Sequence, residues 1–370
     1  MKEMTPFKVL YAASTQSHLQ RFHQPYIAAL RREVEVHTMA TGDGVAHPIC
    51  FEKNYFSPKN LRSMFKIRRI LKEERYDAVI LNTTLTAFWV RMAMWGMKKR
   101  PYVLNVVHGY LFSMTGGIKN RILYLCERML RRVTDEIAVM NEEDLAIATE
   151  HRLCCGRVSM LRGMGYVPAE LPSARDEILR AEFAPLNDDF LCTFVGELSG
   201  RKNQAFLLSA VARLRNEGIP ARLLLVGEGA ERPTLEQMIR KNGWEEFVHL
   251  AGNCEPVLPY LAISDVYVSA SRIEGLPFNV MEAMACGLPT VASDVKGQRD
   301  LLREHPAALY PLGDEDAFCA AVKEIYRTGR VGIRSATYPA IEGYSLSAVF
   351  EETLGVMRAA LRRGGRKDEA

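Results

Sequence analysis

Two glutamates lie on either side of a short apolar segment in the second half of the chain. Glu274 precedes a Gly-Leu-Pro turn, and Glu282 follows eight positions later among residues that are almost all apolar. A carboxylate in such surroundings is costly to bury unless it has partners. Because carboxylates accept hydrogen bonds from hydroxyl groups, this pair suits a ligand that carries several hydroxyls.

A short helix is predicted between the two acids. Asn279 is a good N-cap and Glu282 lies three residues later, which is capping-box spacing, while Gly287 predicts the end of the helix, roughly 280–286. The helix N-terminus favours a phosphate. Glu282 would then reach a hydroxylated group such as a ribose, and Glu274 a second one beyond the phosphates. Alternatively, Glu282 closes a capping box and Glu274 is a solvated loop acid.

Two neighbouring cations follow another predicted strand. The strand Phe190–Val195 ends in the loop 196–204 (GELSGRKNQ), which contains Arg201 and Lys202. The planar fork of arginine and the mobile charge of lysine both suit a diphosphate, although exposed loop cations are also common. A third strand ends in the glycine turn 225–229 (LVGEG), where a flat ring could pack against the backbone.

The order of the predicted elements indicates how these residues could meet. Strand-like and helical segments alternate in both halves of the chain, which predicts parallel βαβ units, and one helix is expected over 20–32. The proline-rich segment 164–188 predicts a boundary. We expect an α/β fold of two Rossmann-like, doubly wound domains facing each other across a cleft. The expected parts are a first domain (1–167), a second domain (168–344) and a C-terminal helix (345–363) that could cross back to the first domain.

Charge is distributed unevenly along the chain. Residues 1–165 contain 25 basic and 15 acidic residues, a net charge of +10, whereas the remainder has 23 and 29, a net charge of −6. Much of the basic excess lies in two helical stretches, 57–77 and 118–132, where basic and large apolar residues are interleaved. This pattern suits an anionic membrane surface or a polyanionic partner. Alternatively, each apolar stripe packs on the core and the basic face is solvated.

Composition argues against several classes of protein. The chain is 48% apolar and 25% charged, which is typical of a soluble globular protein. Its eight cysteines include no C-x-x-C pair, so we expect reduced core thiols and no zinc site on the cysteine spacing. Neither a signal peptide nor a membrane-spanning helix is predicted. No G-x-G-x-x-G follows the first strand, which disfavours a Rossmann dehydrogenase.

Together, these motifs resemble family 4 of the retaining glycosyltransferases, whose two-Rossmann fold is called GT-B. The signature is the E-x7-E motif, here Glu274 to Glu282, with GELSGRKNQ and VGEG beside it. The resemblance implies transfer of a sugar from a nucleotide diphosphate with retention of configuration. A UDP-sugar is the favoured donor and co-substrate, and neither a metal nor another cofactor is expected.

The resemblance implies a role for each matching position. Glu282 would bind the ribose and Glu274 the donor sugar, while Arg201 and Lys202 would neutralise the leaving phosphate. Many members carry arginine where this chain has Glu197, so Arg201 is the expected substitute. Further donor contacts are implied for Gly196, Gly227, Gly229, Asn253, Gly275, Leu276, Phe278, Asn279 and Val280.

The resemblance implies that 1–167 is the acceptor-binding domain and that 168–344 is the nucleotide-sugar-binding domain. His108, at the end of a strand, resembles the family's histidine near the reacting carbon, although a satisfied loop histidine is the alternative. The first loop, 14–26, has no glycine, which disfavours a phosphate role and favours acceptor contacts through Ser17 and His18. Asn141 also ends a strand and could face the cleft.

The basic helices and the resemblance together imply an acceptor that is a glycan or a lipid-linked glycan, as in capsule, exopolysaccharide or O-antigen assembly. We expect a cytoplasmic protein bound peripherally to the inner face of the membrane, with no nucleic acid partner. Two other functions stay open. One is a UDP-sugar 2-epimerase on the same fold, and the other is a non-catalytic nucleotide-sugar-binding partner.

Overall fold

The computed structural model describes residues 7–52, 57–114, 116–168, 170–172 and 175–366. The chain divides into two compact units. Unit 1 comprises Met1–Gly165 and Leu346–Ala370, and unit 2 comprises Tyr166–Ser345. The chain therefore leaves unit 1 once, completes unit 2, and returns.

The sheet of unit 1 is parallel and contains seven strands. They are β1 (Lys8–Thr15), β2 (Glu35–Thr41), β3 (His47–Pro48), β4 (Ala78–Asn82), β5 (Tyr102–Val107), β6 (Glu136–Val139) and β7 (Val158–Met160). Their order is β3-β2-β1-β4-β5-β6-β7. Every residue of β4, β5 and β6 is buried, as expected for parallel strands covered on both faces.

Helices connect these strands. They are α1 (Gln16–His18), α2 (Gln24–Leu30), α3 (Pro58–Glu74), α4 (Thr84–Met94), α5 (Ile118–Leu130) and α6 (Glu142–Glu150). The helix predicted over 20–32 is not uniform, because a π-helical turn over Leu19–His23 separates α1 from α2. Pro25, at the start of α2, has no N–H for a regular helical hydrogen bond, which contributes to this interruption.

Unit 2 has a second parallel sheet, of six strands. They are β8 (Phe190–Val195), β9 (Ala221–Val226), β10 (Val248–Gly252), β11 (Val266–Ser269), β12 (Thr290–Ser293) and β13 (Leu309–Tyr310). Their order is β10-β9-β8-β11-β12-β13. The predicted bounds of β8 are confirmed, as is the α/β class with two doubly wound sheets.

The helices of unit 2 flank this sheet. They are α7 (Glu177–Phe183), α8 (Gln204–Asn216), α9 (Arg232–Asn242), α10 (Leu258–Ile263), α11 (Phe278–Ala285), α12 (Gln298–Leu301) and α13 (Glu315–Thr328). Short 3-10 turns lie at Arg131–Val133 in unit 1 and at Pro306–Ala308 and Pro339–Tyr344 in unit 2.

The last helix, α14 (Leu346–Arg366), belongs to unit 1. The ring of Phe350 stacks on that of Tyr26 with centroids 5.2 Å apart. Arg358 forms an ion pair with Glu33 at 2.6 Å. These contacts, together with buried apolar residues on its inner side, make α14 part of the first unit's core. Those buried residues include Val349, Leu354, Met357 and Ala360.

Candidate functional site

Two loops that carry predicted site residues follow adjacent strands of unit 2. Strands β8 and β11 pair directly, with Val266 opposite Cys192. The sheet continues through β9 and β10 on one side of this pair and through β12 and β13 on the other, so the strand order reverses between β8 and β11. Such a switch point opens a crevice at the carboxyl ends of the strands. The loop after β8 carries Arg201 and Lys202, and the loop after β11 carries Glu274.

The structure brings these three charged side chains together. Lys202 Nζ lies 2.6 Å from one carboxylate oxygen of Glu274, and Arg201 Nη1 donates to the other at 3.0 Å. Glu274 is only 6% exposed and Lys202 7%. Burial alone would raise the pKa of Glu274, but the charges of Lys202 and Arg201, with hydrogen bonds from Lys202 and Ser271, outweigh it and lower the pKa. The buried carboxylate is therefore ionised at neutral pH.

Helix α11 begins earlier than predicted. Its first residue is Phe278, and Pro277 stands at the N-cap position without a side-chain cap. Asn279 is therefore inside the helix, where its Nδ2 donates to the carbonyl of Val195 at 2.6 Å. The predicted capping box of Asn279 and Glu282 is wrong, because that motif needs Asn279 outside the helix. Asn279 instead fastens the start of α11 to the end of β8.

Other residues predicted to contact the donor surround the same strand ends. Gly275 and Leu276 are buried in the turn before α11, and Val280 lies in its first turn, next to Phe278 and Asn279. The first turn of a helix carries the positive end of its dipole. Glu282 is half-buried further along the same helix.

Two glycines of the site are required by backbone packing. A Cβ on Gly227 would lie 2.0 Å from the carbonyl oxygen of Gly196, and one on Gly229 would lie 2.1 Å from that of Leu198. Gly196 N also donates to Val226 O at 2.8 Å, which extends the pairing of β8 and β9 into their loops. These glycines therefore allow the two loops to touch. This packing requires them whether or not the flat ring of a ligand binds at the turn.

The predicted base-binding segment begins directly after β10. Gly227 N donates to Gly252 O at 2.7 Å, so the turns after β9 and β10 are tied together. Asn253 is exposed beside this bond. Its side chain is thus accessible at the edge of the glycine turn.

The turn that carries Glu274 rests on a segment that the sequence analysis missed. A Cβ on Gly297 would lie 2.3 Å from the carbonyl oxygen of Gly275, so the two backbones are in close contact. The next residue, Gln298, is fully buried and donates to Ser269 Oγ at 2.6 Å. The available signal was a glycine followed by a polar residue shortly after a strand.

Ser199 is a second residue that the sequence analysis missed. Its hydroxyl is buried and has no hydrogen-bond partner within the described part of the chain. The carbonyl of Ser199 accepts a hydrogen bond from Lys202 N at 2.9 Å, which places the serine beside the charged cluster. Its position in a strand-to-helix glycine loop was the available signal.

Three histidines cluster in unit 1. His108 follows β5, His18 ends α1, and His23 ends the π-helical turn. Burial lowers the pKa of His108 to about 3 and that of His18 to about 4, and it holds the pKa of His23 well below its usual value. All three imidazoles are therefore neutral at pH 7. The sequence analysis missed His23, because five residues of a regular helix would turn it away from His18.

Two further predicted acceptor contacts have different surroundings. Ser17 is exposed, with its hydroxyl 3.1 Å from that of Thr15. Asn141 is fully buried and is the N-cap of α6, since its Oδ1 accepts from Asp144 N at 2.8 Å and its Nδ2 donates to the Asp144 carboxylate at 2.8 Å. Asn141 is engaged in capping, so it is not carried into the proposed acceptor site.

Comparison with known proteins adds a family to this geometry. Residues 189–328, which include the charged cluster and both glutamates, match the family described as glycosyl transferases group 1. The matched segment, 140 of the chain's 370 residues, is that of a glycosyltransferase. This glycosyltransferase is 29% identical over 332 residues to EpsD of Bacillus subtilis (strain 168), which is named as a glycosyltransferase. That alignment covers 86% of this chain and 87% of EpsD.

Other relatives extend the comparison. An Escherichia coli protein, named UDP-Gal:alpha-D-GlcNAc-diphosphoundecaprenol alpha-1,3-galactosyltransferase, is 25% identical over 274 residues, covering 72% of this glycosyltransferase and 70% of the relative. Among solved structures, Anabaena HepE in complex with UDP and glucose superimposes with a TM-score of 0.73 at 18% identity, covering 95% of this chain and 100% of HepE. The likeness to HepE confirms the GT-B fold.

The two basic helices of this glycosyltransferase differ in how they use their apolar residues. In α3, Ile67, Ile70 and Leu71 are buried in the core, so most of its stripe packs inward. In α5, by contrast, an apolar stripe is exposed. Its members are Ile118, Ile122, Leu125 and Met129, which are 81%, 48%, 52% and 41% exposed.

The exposed face of α5 is also cationic. Lys119, Arg121 and Arg128 are exposed beside the apolar stripe. The single acid of α5, Glu127, points away from this face, because it is buried and pairs with Arg91 at 2.8 Å through both oxygens. We call the four apolar and three basic residues the α5 face. None of the helices over the described ranges is both long and apolar enough to cross a membrane.

Proposed function

We propose that this glycosyltransferase moves a sugar from a UDP-sugar to a glycan acceptor with retention of configuration and without a metal ion. The observation that supports the proposal is the pairing of buried Glu274 with Lys202 and Arg201 at the switch point of unit 2. A carboxylate kept ionised beside two cations suits a ligand that combines hydroxyls with a diphosphate.

The cluster supplies a binding mode for the donor. The diphosphate binds at Lys202, Arg201 and the first turn of α11, while Glu282 accepts hydrogen bonds from the ribose. Glu274 accepts hydrogen bonds from the donor sugar. Since the cations hold Glu274 in its ionised form, both of its oxygens can act as acceptors.

The same groups assist departure of the diphosphate. As the bond between the sugar and the phosphate oxygen breaks, negative charge grows on the diphosphate, and Lys202 and Arg201 stabilise it. Each such group is expected to contribute roughly 10²–10³-fold to the rate. The acceptor oxygen forms its bond to the sugar on the same face. Its proton passes to an oxygen of the departing phosphate, so no carboxylate of the protein is needed as a nucleophile.

UDP is the nucleotide we propose, for two reasons. HepE was solved with UDP and glucose, and the name of the E. coli relative specifies a UDP-sugar. The test is a thermal-shift comparison of UDP, GDP and ADP. A nucleotide at about 100 times its dissociation constant stabilises its target by roughly 2.7 kcal/mol, and we expect this for UDP. The proposal fails if none of the three stabilises the protein.

The Glu282→Ala variant makes this test specific. It should lose most of the UDP-induced shift, whereas Glu245→Ala, which removes an exposed acid of the same unit, should keep it. If Glu282→Ala unfolds more easily but binds UDP normally, then Glu282 supports the helix and not the nucleotide.

Catalysis separates the two alternative functions. An epimerase would convert a UDP-sugar when no acceptor is present, and a non-catalytic partner would bind UDP but leave the sugar unchanged under every condition. Transfer requires both substrates. We therefore expect UDP to be released only when donor and acceptor are combined. Nuclear magnetic resonance measures this release and also shows the anomeric configuration of the product.

We further propose that the acceptor is lipid-linked and that the α5 face docks on an anionic membrane surface, the cytoplasmic leaflet. The exposed apolar stripe with flanking cations supports this, since such faces bind anionic lipid headgroups and the apolar boundary beneath them. The E. coli relative is named for a diphosphoundecaprenol acceptor, which also favours a lipid-linked substrate.

Vesicle sedimentation tests the docking. Vesicles that contain phosphatidylglycerol should bind the protein, neutral vesicles should not, and salt should release it. Arg128→Ala should weaken binding about fivefold, since a basic residue near such a surface contributes about 1 kcal/mol. Leu125→Glu should abolish binding, while Leu312→Glu, at a similarly exposed apolar position of unit 2, should not. Equal binding by both glutamate variants would contradict the proposal.

A further inference from the structure

We propose that His18, His23 and His108 form a binding site for one divalent transition-metal ion, Zn²⁺ by preference, in unit 1. One ring nitrogen from each residue lies within 4.8 Å of the corresponding nitrogens of the other two. The site is separate from the diphosphate chemistry proposed above, and its existence does not depend on that proposal.

The spacing of the three rings fits a single ion. A tetrahedral ion with metal–nitrogen distances of about 2.0–2.1 Å holds the centres of its imidazole ligands roughly 5 Å apart. The ring centroids are 5.1 Å apart for His18 and His23, 5.4 Å for His18 and His108, and 5.2 Å for His23 and His108. The three rings thus form a nearly equilateral triangle of the required size.

The π-helical turn is what creates this triangle. In a regular α-helix, side chains five residues apart point about 140° away from each other. Because the helix widens over Leu19–His23, the ring of His23 lies next to that of His18 and faces His108. Single π turns of this kind occur frequently at functional sites.

Two nitrogens of the cluster have no hydrogen-bond partner among the residues that the structure describes. His23 is 0% exposed, and its Nε2 is buried without a hydrogen bond to any described residue, as is Nε2 of His18. The other nitrogen of His23, Nδ1, lies 2.8 Å from the Tyr11 hydroxyl. When Nδ1 donates its proton to that oxygen, Nε2 keeps a free lone pair for a metal ion. Metal-binding histidines ordinarily have such a hydrogen bond from the ring nitrogen that does not bind the metal.

A second histidine cluster in the same unit provides a contrast. His37, His47 and Glu74 are also close together. There, the Tyr76 hydroxyl bonds to His37 Nδ1 at 2.8 Å and to His47 Nε2 at 2.7 Å, and Lys8 pairs with Glu74 at 2.7 Å. An ammonium group and a hydroxyl already satisfy these ligand atoms, so this second cluster serves as an internal control.

Three imidazoles suggest the class of ion. Neutral nitrogen ligands suit Zn²⁺, Cu²⁺ and Ni²⁺ better than Mg²⁺ or Ca²⁺, which prefer oxygen. Three protein ligands leave a fourth tetrahedral position for water or an anion. Zn²⁺ is our choice because it accepts this geometry without redox chemistry, and Co²⁺ can report the same coordination through its visible absorption.

The test uses the full-length protein without a histidine tag and without nucleotide. Zn²⁺ is titrated in competition with a chromogenic chelator, and Co²⁺ is titrated separately while its visible spectrum is recorded. We expect one equivalent of Zn²⁺ to bind, the melting temperature to rise, and the Co²⁺ spectrum to be that of a tetrahedral nitrogen site. A protein that binds less than one equivalent, or that gives an octahedral Co²⁺ spectrum, would overturn the proposal.

Matched variants locate the ion. Tyr11→Phe, which keeps all three ligands, should weaken Zn²⁺ binding 10–100-fold, the usual loss when an outer hydrogen bond is removed. His18→Gln should weaken binding by more than that, and His47→Gln should leave it unchanged. The UDP-induced shift of unit 2 is recorded for each variant, so a folding defect is recognised separately. Equal Zn²⁺ affinity in His18→Gln and His47→Gln would place the ion elsewhere.

Discussion

At the scale of single side chains, Glu274 and its two cations depend on one another. Lys202 is nearly as buried as the carboxylate that it contacts, whereas Arg201 is more exposed. Removing one partner of a buried ion pair leaves an uncompensated buried charge. The free-energy cost of that charge exceeds the net stabilisation that the intact pair provides.

Replacement of Lys202 by methionine should therefore affect both folding and chemistry. We expect the free energy of unfolding to fall by about 3 kcal/mol, the low end of the usual range because Arg201 stays beside Glu274. The transfer rate should fall roughly 10²–10³-fold. Urea unfolding and product formation measure the two effects. Arg272→Met, which removes an exposed cation that bonds to Asn203, should change neither by a comparable amount.

The lowered pKa of Glu274 predicts a pH dependence of stability. The group stays ionised in the folded protein at pH values where it would be protonated in the unfolded chain, so its stabilisation is complete above the unfolded pKa, about 4.3. It is lost as the pH falls through the lower folded pKa. The difference in unfolding free energy between the wild type and Glu274→Gln should therefore shrink below about pH 4. A difference that stays constant down to acid unfolding would contradict this.

Sequence patterns identified the chemical types at this site but not their contacts. Arg201, Lys202 and Glu274 were each recognised as ligand-binding candidates, yet their mutual pairing joins loops more than 70 residues apart, which no local pattern specifies. His23 was missed for a related reason. A helical period of 3.6 assigns it to the wrong face, and only the π turn brings it to His18.

At the scale of elements, the site depends on how closely the loops after neighbouring strands approach each other. Strand β8 was predicted with the correct bounds because it is an apolar run that ends at a glycine. The close contact between Gly227 and Gly196 was not predictable. A glycine in the sequence indicates a turn, but it does not indicate which other backbone segment lies against that turn.

The Gly227→Ala substitution tests that contact. Its Cβ would collide with a carbonyl oxygen at 2.0 Å and would also occupy an unfavourable φ of +145°. Gly218→Ala is the matched control, because Gly218 has a φ of +88° but no atom of the described residues lies within 4 Å of an added Cβ. We expect the control to lose about 1 kcal/mol of unfolding free energy from backbone strain, and Gly227→Ala at least 2 kcal/mol more from the collision. Similar losses in both variants, measured by urea unfolding, would show that the loops separate without cost.

At the scale of the whole molecule, unit 1 is built from both ends of the chain. Deleting residues 346–370 removes α14 and its buried apolar residues, each of which contributes about 1.5–3 kcal/mol when buried. That sum approaches the whole stability of an ordinary domain. We expect unit 1 to unfold in the truncated protein, whereas unit 2, which contains none of α14, should still be stabilised by UDP. Calorimetry should show one nucleotide-sensitive transition, and loss of all cooperative unfolding would contradict this.

The two points at which the chain enters and leaves unit 2 are neighbours. Tyr166 forms a bridge with Ser345, and its N–H donates to Tyr344 O at 3.1 Å. A segment whose ends lie side by side can be excised and replaced without stretching the host chain, because insertion succeeds where the ends are close. Residues 166–345 can therefore be exchanged as one segment. In a chimera with the matching segment of another GT-B protein, unit 2 would be replaced while unit 1 keeps its own core.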